Sequence, residues 1–122
     1  MGLDEIKIEG ERVIISPVNG TIWLSQYQIA HLFDCFIAKV SSNVRSILKT
    51  SVLDERKVCR THYYKNGDSV EQYNLEMIIA LSFRIKSSNA EIFREWMMNK
   101  ATTKEKKGFV DFQWDVDKIF LN

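Results

Sequence analysis

The chain has 122 residues, 45% of them hydrophobic and 27% charged, a balance that suits a soluble folded domain and excludes a disordered chain. No run approaches the roughly 18 consecutive apolar residues of a membrane span, and Met1-Gly2-Leu3-Asp4-Glu5 lacks the basic and then apolar stretch of a secretory signal. The formal net charge of +1 conceals an uneven distribution: residues 38–65 hold seven Lys or Arg against two acidic residues, the kind of footprint a phosphate-binding face leaves.

In chain order, residues 5–8 and 12–16 are rich in β-branched types, Ile6, Ile8, Val13, Ile14 and Ile15 among them, and Pro17-Val18-Asn19-Gly20 gives a turn signal. Thr21-Ile22-Trp23-Leu24 reads as the returning strand of an N-terminal β-hairpin. Ser25 with Gln28 forms a capping box, and Ile29, Ala30, Leu32 and Phe33 give the buried stripe of a first helix. The pattern breaks at Asp34-Cys35 and resumes over 37–49. There Val40, Val44, Ile47 and Leu48 share one face, Ala38, Ser42, Arg45 and Lys49 line the other, and Lys39 and Ser46 sit at its edges.

After a polar link through Leu53-Asp54-Glu55-Arg56, residues 58–65 read as a strand, Asn66-Gly67 as a hairpin turn and Ser69–Tyr73 as the partner. Asn74 caps a helix to about Ile85, with Leu75, Ile78, Ile79 and Phe83 inward. Ser88 and Glu91 open a last helix to about Ala101, with Ile92, Phe93, Trp96 and Met97 inward. Arg84 and Arg94 are expected to bridge to Glu91 or Glu95 and knit these two helices, the alternative being that the pair extends the phosphate-binding surface. In the tail, Val110, Phe112, Trp114 and Val116 alternate with polar residues as in a one-sided strand that docks on its own core or on another copy.

The expected fold class is α+β: a winged helix-turn-helix-like domain over 1–101, with an N-terminal β-hairpin, a wing hairpin and two C-terminal helices, followed by a linker and tail at 102–122. Two short helices joined by a tight turn need a small residue where they cross, supplied by Ala30. They also need a residue tolerant of left-handed backbone at the turn, where glycine is usual and this chain has Asp34. The expected function is sequence-specific binding of double-stranded DNA, with helix 37–49 in the major groove and a basic wing at about 58–73. Ser42 and Arg45 are candidates for base edges and Lys39 and Lys49 for phosphates, with Ser46 beside them and Arg60 and Lys65 on the wing.

The stretches Thr21–Gln26 leading to Ile29–Phe33, Leu53–Glu55 leading to Val58-Cys59, and Tyr73–Ile79 continuing through Arg84–Ser87 to Phe93–Trp96 together resemble the RhuM-type virulence-associated, phage-related proteins, over about residues 20–111. The resemblance implies a DNA-binding protein of the kind found near mobile elements, a type of transcription regulator. Its members carry Gly-Val at the helix-helix turn, where this chain has Asp34-Cys35, and continue well beyond the stretch matched by Lys107-Gly108-Phe109, so the chain reads as a shortened or truncated member.

Cys35 and Cys59 belong to no close Cys or His pair, and His31 and His62 are isolated, so no metal site, cofactor, small-molecule substrate or disulfide is expected, and a reducing cytoplasm is the expected compartment. With no nucleophile-base pair and no glycine-rich phosphate loop, an enzyme is not expected. The partner is expected to be duplex DNA, with a homodimer formed through the C-terminal helices or the tail. The alternative is a protein-interaction module in which the helix pair is degenerate and Phe36-Ile37 together with the tail forms a docking surface.

Overall fold

The computed structural model describes residues 5–17 and 21–102, and it is an α+β arrangement with two small antiparallel sheets. Strands β1 (Glu5–Glu9) and β2 (Arg12–Ser16) form a ribbon joined by the two-residue turn Gly10-Glu11. Gly10 takes φ 64° at the first turn position, a conformation a side chain there would strain. The register sets Ile6 opposite Ile15 and Ile8 opposite Val13, which makes one face of the ribbon apolar.

The partner of β1 is thus Arg12–Ser16 and not the expected Thr21–Leu24. Strand β3 (Trp23–Ser25) instead pairs with β5 (Ser69–Asn74), and β5 pairs in turn with β4 (Cys59–Tyr63), giving the order β3-β5-β4. Gly10 closes the first ribbon early. That leaves β3 available to the distant strand, whose register sets Leu24 opposite Tyr73, both of them buried.

Helix α1 (Gln26–Phe33) starts on the expected capping box. Ser25 Oγ accepts from the Gln28 N–H (3.2 Å), and Gln28 Oε1 accepts from the Ser25 N–H (2.8 Å). Helix α2 (Ile37–Lys49) buries Val40, Val44 and Ile47, and it packs against α1 and α4 (Leu75–Ser82). A short helix, α3 (Glu55–Val58), absent from the sequence reading, leads into β4. Asp54 caps it by accepting from the Arg56 N–H (3.0 Å).

Helix α4 opens as expected on Asn74, whose side chain accepts from the Met77 N–H (3.2 Å), but it stops at Ser82. Leu81 and Ile85 take the interior positions beyond the expected stripe, so Phe83 stands 53% exposed and is not a core residue. The last helix, α5 (Ser88–Thr102), is capped one residue earlier than the Ser88-Glu91 reading. Ser87 Oγ accepts from the Ala90 N–H (3.0 Å).

The apolar face of the β1–β2 ribbon packs on α1 and α5, and the core joins Ile6 and Ile15 to Ile29, Phe33, Ile47, Met77, Ile78, Phe93 and Met97. Phe33 meets Phe93 edge-on, with ring centroids 5.6 Å apart. The expected tail strand and the linker lie outside the described residues. No helix among the described residues is long and apolar enough to cross a membrane.

The two arginines of the C-terminal helices do serve packing, but through oxygens other than carboxylates. The Arg94 guanidinium donates to the Ser82 carbonyl and to the Ile85 carbonyl (3.3 Å), which satisfies acceptors left open where α4 ends. Arg84 Nη1 reaches across to Ser46 Oγ on α2 (3.0 Å). Neither arginine forms an ion pair with Glu91 or Glu95 among the described residues. Replacing Arg94 by Ala should therefore cost about 1.5–3 kcal/mol in a urea unfolding experiment, as charge-assisted hydrogen bonds do. Glu91→Gln and Glu95→Gln should stay within about 0.5 kcal/mol of the parent.

Candidate nucleic-acid interface

The site begins with a backbone constraint. Asp34 closes α1 in the left-handed region at φ 53°, and its N–H and that of Cys35 turn back to the His31 carbonyl (3.2 Å) and the Ala30 carbonyl (3.0 Å). The expected glycine role is filled by Asp, one of the few side chains that enter this region at modest cost. Ala30 is buried on α1, the helix that packs against α2.

The chain then enters α2 through Phe36, which occupies the N-cap position with extended backbone and makes no side-chain cap hydrogen bond. Ser, Thr, Asp or Asn is favoured at such a position. Phe36 is instead the most exposed of the large apolar side chains among the described residues, at 86%.

With Val40, Val44 and Ile47 turned inward, helical periodicity puts Ala38, Ser42, Arg45 and Lys49 outward, and all four are exposed. Local bonds hold this face. Arg45 Nη1 donates to Ser41 Oγ (2.9 Å), while Ser42 Oγ (3.3 Å) and Asn43 Nδ2 (2.9 Å) both donate to the Lys39 carbonyl. Lys39 is exposed near the start of the helix and Lys49 in its last turn, where a cation also complements the helix dipole. The helix carries no acidic residue. Ser46 stands apart from this group. It is half-buried at the flank of α2 and holds Arg84 through its hydroxyl.

The β4–β5 hairpin differs from its expected form. Tyr64 and Asp68 continue the pairing beyond the strands, the Tyr64 N–H donating to the Asp68 carbonyl (2.8 Å) and the Gly67 N–H to the Tyr64 carbonyl (3.1 Å). The loop is thus three residues, Lys65-Asn66-Gly67, with Gly67 at φ 98°. It is not a two-residue Asn-Gly turn. Asn66 Oδ1 accepts from the Asp68 N–H (2.9 Å), which stiffens the tip.

The hairpin is also charge-balanced and not basic, because Arg60 and Lys65 are matched by Asp68 and Glu71. Arg60 is further committed to the sheet face. Its Nε donates to Gln72 Oε1 (2.8 Å), and its guanidinium lies 4.5 Å from the Trp23 ring centroid. Lys65 is exposed at the tip, and His62 packs edge-on against Tyr64 at 4.9 Å.

Lys39, Ser42, Arg45 and Lys49 therefore share the exposed side of one helix, while Arg60 and Ser46 are engaged elsewhere. Two features lie outside the site residues expected from the sequence. Arg84 delivers a cation to the flank of α2 from 38 residues away, a link with no local signal. Arg56 and Lys57 are exposed on α3, where the charge excess of 38–65 alone announced them.

Burial pushes both cysteine thiols up, Cys59 to about 11 and Cys35 by a smaller amount, and no group of three or more His, Cys, Asp or Glu among the described residues is arranged to hold a metal. Comparison of the chain with family models, with curated proteins and with solved structures gives no match.

Two outcomes are expected from this geometry. Replacing Phe36 by Ser gives α2 the missing cap and removes an exposed ring, so the variant should gain about 1 kcal/mol in denaturant unfolding. Cys59 should alkylate slowly at pH 8, its rate climbing until about pH 11. Because the folded protein favours the neutral thiol, this group stabilises the fold below the ordinary thiol range, and that contribution fades as pH rises toward 11.

Proposed function

We propose that the protein binds duplex DNA as a winged helix-turn-helix module, with α2 in the major groove and the β4–β5 hairpin alongside as the wing. The observation that carries the reading is the exposed side of α2: small, hydroxyl and cationic side chains in one row, with no acid on the helix. A groove about 12 Å wide admits such a helix, arginine matches paired acceptors on a base edge, and lysine meets phosphate.

The order of elements supports the same reading, since a strand precedes the helix pair, a hairpin follows it, and all three strands share one sheet. The resemblance to RhuM-type proteins points the same way. The hairpin contributes contacts by shape and through Lys65, with little net charge, and on α3 Arg56 is paired with Asp54, so the electrostatic attraction comes from α2 with Arg84 at its flank. Two copies related by a two-fold axis would read two half-sites, as a single helix reads few base pairs.

The second reading, a protein-docking module, is favoured by one observation, the exposure of Phe36 beside the partly exposed Ile37. Fluorescence anisotropy with pooled duplexes at low and moderate salt separates the two. On the DNA reading, binding weakens steeply with salt, Arg45→Ala costs about 1–3 kcal/mol and relaxes preference at particular bases, and Lys49→Ala weakens all sequences alike while reducing the salt slope by about one. Absence of binding at low salt would sink the DNA reading, and unaltered affinity in Arg45→Ala would favour the docking module.

A further inference from the structure

Phe36 is the feature the DNA reading leaves unused. It sits at the N-cap of α2, where a capping side chain is favoured, and it gives up that cap for a phenyl ring left 86% exposed. Ala38, the second residue of the same helix, is exposed as well, and helical periodicity puts it on the side that carries Ser42, Arg45 and Lys49. Phe36 thus stands exposed at the entry to a helix whose outward side is otherwise hydroxyl and cationic. Lys39, Arg45 and Lys49 give the helix three positive charges and no negative one, which favours a polyanion over an uncharged protein surface as the body that covers it.

When a helix enters the major groove, the residues at its N-terminal end face the base edges. A phenyl ring and a methyl group can neither donate nor accept there. Each base edge offers hydrogen-bonding groups, and only thymine adds an apolar one, the C5-methyl. Setting Phe36 against any other edge would strip water from a donor or acceptor without replacing its partner.

Resting on the DNA-binding reading, we infer that Phe36, at the entry to α2, is a specificity-determining contact to the C5-methyl group of thymine in the major groove. The start of α2 reads a methyl, and Ser42 and Arg45 further along the helix read polar groups. The turn is thus apolar because its ligand is apolar, and capping has been given up for recognition.

The test uses the whole chain. Bound duplexes are selected from a random pool, and each thymine of the best sequence is then replaced singly by deoxyuridine, which removes the C5-methyl and nothing else. Affinity is read by anisotropy. One thymine, or two neighbours, should weaken binding about fourfold on losing the methyl, the value of one buried methyl group, while the others have little effect. In Phe36→Ala, folded by circular dichroism, the same replacement should have no further effect, because the partner of the methyl is already gone.

Steep, salt-dependent binding that is indifferent to every deoxyuridine overturns the inference and leaves the DNA reading standing. So does a methyl effect that persists undiminished in Phe36→Ala. Parent affinity in Phe36→Ala, with capture of a defined protein that this variant loses, assigns the ring to protein docking instead. No binding to any duplex at low salt overturns the inference and the DNA reading together.

Discussion

The left-handed backbone of Asp34 is the constraint on which the rest of the arrangement depends. It ends α1 after eight residues and re-aims the chain so that Val40, Val44 and Ile47 meet the core formed by α1 and α4. Every outward position on α2 follows from that commitment. Because a helix repeats every 3.6 residues, fixing the buried stripe fixes Ser42, Arg45 and Lys49 on the opposite side without a dedicated interaction. The core defines the candidate interface by exclusion, and the local bonds Arg45–Ser41 and Ser42–Lys39 then tune side chains whose direction is already set.

Around that helix pair, the remaining elements act as supports. The Asn89 side chain donates to the Leu32 carbonyl near the end of α1 (2.9 Å), so α5 steadies the turn from behind. Arg94 closes the C-terminus of α4, and Arg84 ties the segment after α4 to Ser46 on the flank of α2. Gln26 donates to the Tyr73 hydroxyl (3.0 Å) and so couples the start of α1 to the central strand of the three-stranded sheet. The helix that faces outward is thus held on several sides, which suits a surface that must keep its shape against a ligand.

The sequence was most legible where a single segment contains its own instructions. The capping box at Ser25, the cap at Asn74 and the stripe of α2 each depend on residues within one or two turns, and each is present. It was least legible where a partner lies far along the chain. Thr21–Leu24 carries a strand signal, but nothing local says that its mate is β5 and not the ribbon before it, and the weaker Gly10-Glu11 turn decided the matter. Phe83 and Arg94 follow the same logic, since an apolar residue near a helix end and a long cation can each face several ways until the tertiary packing is known. For the candidate site, periodicity revealed the row on α2. The engagement of Ser46 by Arg84 and of Arg60 by Gln72 and Trp23 required the fold.

The central claim is the proposal that duplex DNA binds on the outward side of α2, with the β4–β5 hairpin as the wing. Its most direct test is a backbone amide NMR titration of the whole chain with a mixed-sequence duplex at low salt. The account predicts shift changes concentrated at Phe36 to Lys39, Ser42, Arg45 and Lys49, with a smaller set at Lys65 to Gly67, all reversed by added salt. Changes centred on the β1–β2 ribbon or on α5, or no change at a large excess of duplex, would contradict it.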